Sequence, residues 1–131
     1  SEVGTFDTEM FGSGDWDMWL RIAERYEIGF VDQELTRYRI HSGSASHNRS
    51  RVLNDDLRIR EKIDSKRSEI LARFGAKAKP VLAHNLAALG AVRQMLGDRP
   101  GARLAYSDSL RMNPLRLKTY LRFLRSWKGS I

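Results

Sequence analysis

The chain has no cysteine, which excludes disulfides and thiolate metal sites and suits a cytosolic protein. No run of about 20 apolar residues occurs, so nothing in it reads as a membrane span. Its first residues lack the basic and apolar regions of a secretory leader. The expected location is therefore the cytoplasm, peripheral at the inner face of the membrane where the chain meets one. No His-x-x-x-His or His-x-His pair is present among the three histidines, which offers no independent metal site. Prolines number only three, and Pro80, Pro100 and Pro114 each suit the first turn of a helix.

What is present is enough for a core. The 131 residues are 41% apolar, which fits one domain, or a small domain with an extension, and excludes wholesale disorder. The net charge of +7 is divided unevenly. Residues 1–47 hold four arginines and nine acids, a net −5, while residues 48–131 hold 19 basic residues and seven acids, a net +12. An acidic front joined to a basic back suggests two modules with different partners. The basic part can face an anionic membrane or solvent; its aromatics do not interleave with the cations as a base-stacking platform would, which argues against nucleic acid.

Residues 1–13 read as a loop rich in turn residues. A helix is expected from about Asp15, with Met18, Trp19, Ile22, Ala23 and Tyr26 on one apolar stripe. Glu27–Val31 reads as a short strand, and Leu35–Ile40 alternates as a second, forming a hairpin across Asp32–Glu34. The small polar run His41–Asn48 marks the module boundary. Beyond it the pattern is helical: Val52 to Phe74 with Gly75 as a stop, Val81 to Leu96 ended by Gly97, a helix capped by Asp98 and ending near Met112, and a last one opened by Asn113–Pro114 and running to about Trp127. The expected class is thus α+β: a helix and a β-hairpin in residues 1–47, then a tail of about four helices in residues 48–131.

Within that tail Leu86, Leu89, Gly90, Gly97, Ala102, Tyr106 and Pro114 fall in a register that resembles one tetratricopeptide-like repeat of about 34 residues, with Ser109 where that pattern prefers alanine. One unit cannot build a peptide-binding solenoid, so the reading is a helical hairpin packed on its neighbours.

Few residues could carry chemistry. Asp15, at a helix start after "GSG", is either a cap for free amides or a general base held ionised by them. Asp17 suits the first turn for dipole reasons alone. His41 closes the expected second strand and could reach a cleft; His47 lies in the loop and His84 in an apolar helix. Arg37 and Arg39 share one strand face and could grip phosphate, though such pairs also line half-exposed hairpins. Trp16, Trp19 and Tyr26 could stack a sugar or fill a core.

Taken in order, "GTFD", the acidic turn before "WDMWLR", the segment "VDQELTRYRIH" and the small-residue loop resemble the second half of family-2 glycosyltransferases of the GT-A fold, over residues 3–46. The resemblance implies an inverting, hexosyltransferase-like enzyme that moves a sugar from a nucleotide-sugar donor to an acceptor hydroxyl on a saccharide or lipid-linked acceptor. It makes Asp15 the catalytic base, Phe6, Asp7 and Trp16 acceptor-side residues, and His41 the position nearest the donor diphosphate or its metal. A divalent cation, Mg or Mn, would serve the complete enzyme, with none expected in this segment. Gly14 stands where the family has the first acid of its pair. The family's nucleotide-binding half precedes these motifs and is not in the chain, so the segment alone is expected to be inactive and to self-associate through exposed apolar surface. The competing expectation is a non-catalytic helical module that docks a protein or an anionic membrane.

Overall fold

A computed structural model describes residues 2–39, 41, 43 and 48–127. Its regular secondary structure is entirely helical: α1 (Gly14–Ala23), α2 (Arg49–Ser65), α3 (Arg67–Phe74), α4 (Lys79–Met95), α5 (Arg99–Met112) and α6 (Leu117–Arg125), with a 3-10 turn over Gly75–Ala78. The chain divides into two compact units, Ser1–Asp55 and Asp56–Ile131, the division falling inside α2.

This overturns the α+β expectation. Among the described residues there is no strand, and residues 27–39 are irregular and exposed, with Phe30 89% accessible. The alternation there is real, but a lone two-stranded hairpin is marginal in water and needs a sheet or a packed layer to cover its apolar face. Ile40 of the expected second strand, and Ser42, Ser44–Ser46 and His47 of the loop that follows, lie outside the described residues.

In the first unit, α1 stops at Ala23, short of the expected Tyr26. Trp19 and Tyr26, expected on a buried stripe, are both more than half exposed. Among the described residues, the buried ones are instead Met10 and two carboxylates, Asp17 and Asp55. Polar contacts organise this unit more than an apolar core does.

The second unit has a conventional core. Pro80 sits in the first turn of α4, which buries Leu82, Ala83, Leu86, Ala87, Leu89, Gly90 and Val92. Gly97 then takes φ +89, a left-handed turn that suits glycine because it has no Cβ to clash. Asp98 caps α5 by accepting the Gly101 N–H at 2.9 Å, and Pro100 follows in the first turn. Leu86, Leu89 and Ala105 form the centre of the core, with Leu57 and Met112 packed on it. A Cβ placed on Gly90 would lie 2.6 Å from the Tyr106 ring and 3.1 Å from the Ala102 carbonyl, so α4 and α5 meet there at a distance only glycine permits. Ser109 is fully buried, and its hydroxyl is satisfied by donating to the Ala83 carbonyl at 2.7 Å.

Two further boundaries differ from expectation. The run from Val52 to Phe74 is broken at Lys66 into α2 and α3. The Ser65 hydroxyl donates to the Lys62 carbonyl at 2.8 Å there, the kind of local bond that competes with helix continuation. Arg67 then staples the break, pairing with Asp64 at 2.6 Å and with Asp108 of α5 at 3.2 Å. Burial alone would lower the Arg67 guanidinium, but bonds and charge from Asp64 and Asp108 outweigh it and hold it above its ordinary value. The second difference concerns Asn113, which does not cap the last helix. Its side chain accepts from Leu115 N–H at 3.2 Å in a separate turn, and α6 begins only at Leu117.

Candidate functional site at the start of the first helix

The segment before α1 is shaped by its own polar side chains. Asp7 accepts the Glu9 N–H on its side chain at 3.0 Å and the Met10 N–H on its backbone carbonyl at 3.1 Å, forming a tight Asx turn. The turn folds onto the helix start: a Cβ placed on Gly14 would lie 3.6 Å from Met10 Cβ, 3.8 Å from the Phe6 ring and 3.9 Å from the Asp7 carbonyl. Phe6 stays largely exposed beside it.

Two buried acids hold this arrangement. Asp55, on α2, accepts backbone N–H groups from Phe11 at 3.1 Å, Gly12 at 2.7 Å and Ser13 at 3.1 Å. Three converging amides replace the water that a buried carboxylate would otherwise lose. Asp17 pairs with Arg21 at 3.0 Å one turn along α1. Arg21 also donates to the Val3 carbonyl, and to the Thr5 carbonyl at 2.8 Å, tying the N-terminal strip to the helix.

Asp15 stands apart from both. The N-cap position belongs to Ser13, whose side chain makes no capping bond, and Asp15 lies in the first turn. It is exposed, and one oxygen accepts the Trp16 N–H at 2.8 Å. Among the described residues its second oxygen has no partner. Trp16, partly exposed, follows on the same turn.

The structure therefore brings Phe6, Asp7, Asp15 and Trp16 to one helix start and leaves His41 exposed. Among the described residues no three of His, Asp and Glu converge on a metal-binding group. Asp55 is absent from the candidates the sequence offers. The signal was its place on the stripe between Val52 and Ile59, where an acid must find buried donors. No family model, curated protein or solved structure matches this chain.

Proposed function

We propose that residues 3–46 supply the acceptor side of an inverting glycosyltransferase, with Asp15 as general base. The ordered motifs "GTFD", "GDWDMWLR" and "VDQELTRYRIH" motivate the reading. The single observation that supports it best is the state of Asp15. Burial and helix support fall to Asp17 and Asp55, which leaves Asp15 exposed at the positive end of α1 with an oxygen open to a ligand. A base must be within reach of the acceptor hydroxyl, and the exposure of Asp15 allows that.

In that role Asp15 takes the proton of an acceptor hydroxyl as the oxygen attacks the anomeric carbon of the donor. The bond to the nucleoside diphosphate breaks on the opposite face, and the configuration inverts. The exposed faces of Phe6 and Trp16 would seat the apolar face of an acceptor sugar.

The test is transfer by a protein that joins this segment to a nucleotide-sugar-binding half. Asp15→Asn there should lower turnover by about 10²- to 10⁴-fold, the usual worth of a positioned base, with folding intact. Near-normal turnover would remove the assignment. The 131-residue chain alone should not turn over a nucleotide sugar; measurable transfer by it would overturn the idea that it is only the acceptor side.

A further inference from the structure

We infer that α6 is a docking face for an anionic lipid bilayer. The inference rests on the second unit alone and does not depend on the transferase reading. It starts from the way α6 is turned. A surface helix ordinarily buries its apolar stripe and shows water its polar side. Here the stripe Leu117, Tyr120, Leu121 and Leu124, continued by Trp127, spans about 120° of the helix circumference and faces outward. Leu117, Leu121, Leu124 and Trp127 are each more than half exposed, as is Leu115 just before the helix. The residues turned inward are Thr119 and Ser126, both small, polar and buried, together with the partly buried ring of Phe123.

The charge beside that stripe selects its occupant. Lys118, Arg122 and Arg125 are all exposed and follow one another around the helix next to the leucines. From Ser109 to the last residue the sequence has six basic residues and no acid. A second copy of the chain would set these cations against their own equivalents, which disfavours a dimer through this face. A surface that is apolar within and negative at its boundary satisfies both halves of the helix at once, and an anionic bilayer is such a surface. Trp127 lies at the end of the stripe, edge-on to Phe123 with centroids 6.4 Å apart and with the Arg103 guanidinium 4.5 Å from its ring centre. A ring paired with a cation suits the headgroup level, where aromatic and cationic groups gather. With only nine helical residues, apolar insertion and charge attraction are both needed, because a single weak signal gives only marginal, reversible attachment.

Vesicle cosedimentation of the full 131-residue chain tests this. Vesicles of phosphatidylcholine with about 30 mol% phosphatidylserine should retain the chain at least about tenfold more strongly than phosphatidylcholine alone. Raising salt from about 50 mM to about 300 mM should weaken retention by about tenfold or more. The double variant L121S/L124S should lose about tenfold in retention with an unchanged circular dichroism spectrum, whereas Val81→Ser, an equally exposed site on α4, should bind normally. Absence of binding to the anionic vesicles at low salt overturns the proposal. So does equal binding by L121S/L124S, or a dimer in sedimentation velocity that this variant abolishes without any vesicle binding, since the face would then belong to a protein partner.

Discussion

The Asp55 carboxylate accepts the Gly12 N–H at 2.7 Å across 43 residues of sequence. With Phe11 and Ser13 completing the set, one buried acid fixes the loop that enters α1. Asp55→Asn keeps the size but puts an NH₂ where an acceptor is required. It should destabilise the first unit by about 2–4 kcal/mol, since buried donors then face a donor. Faster amide exchange at Phe11, Gly12 and Ser13 in the variant is the expected readout; unchanged exchange would mean that the carboxylate does not hold the loop.

Asp17 and Asp15 lie two residues apart and should respond oppositely to the same change. Asp17→Asn removes the buried partner of Arg21, which anchors Val3 and Thr5, and should cost about 1–3 kcal/mol in urea unfolding. Asp15→Asn touches an exposed group and should stay within about 0.5 kcal/mol. A large stability loss at Asp15 would make it structural and weaken its assignment as a base.

Gly90→Ala separates local helix preference from packing. In an open helix this change stabilises by about 1 kcal/mol. Here the added methyl meets the Tyr106 ring and the Ala102 carbonyl, so the sign should reverse, with a loss of about 1–3 kcal/mol. Thermal denaturation of the two proteins decides it, and a more stable Gly90→Ala protein would show that α4 and α5 can part at little cost.

Burial pushes the Tyr106 phenol above its ordinary 10.0, with the Arg122 charge opposing. The folded state therefore holds this proton more tightly than the unfolded state does. Its contribution to stability is complete below pH 10.0 and is lost as pH rises through the folded value. An absorbance titration should show one of the four tyrosines ionising after the others. In Tyr106→Phe that last step should vanish, along with the bond to Gln94 at 3.0 Å.

Helix ends were legible where a single residue sets them. Pro80, Gly97, Asp98 and Pro100 act through local backbone geometry, so their roles can be read without knowing the neighbours. Gly90, Ala102 and Tyr106 were legible as members of the register that resembles a tetratricopeptide-like repeat, and their contact became visible only in the folded hairpin. The hairpin at residues 27–40 misled because alternation only says that a strand could be half-buried; whether a layer exists to bury it is a tertiary fact. Trp19 misled for the same reason, since the stripe it belongs to meets no core. At the candidate site Phe6, Asp7 and Asp15 were visible as residues, but Asp55 was not, because its donors lie more than 40 residues away.

Composition and local pattern alone therefore established an acidic front, a basic helical back and most helix starts and stops, since these depend on short-range sterics and charge. Only the folded chain decided which acids are buried, that α6 turns its leucines outward, and that Asp15 is left exposed at a helix start. Those outcomes depend on which surfaces find a partner, and burial is a property of pairs of segments rather than of any one segment.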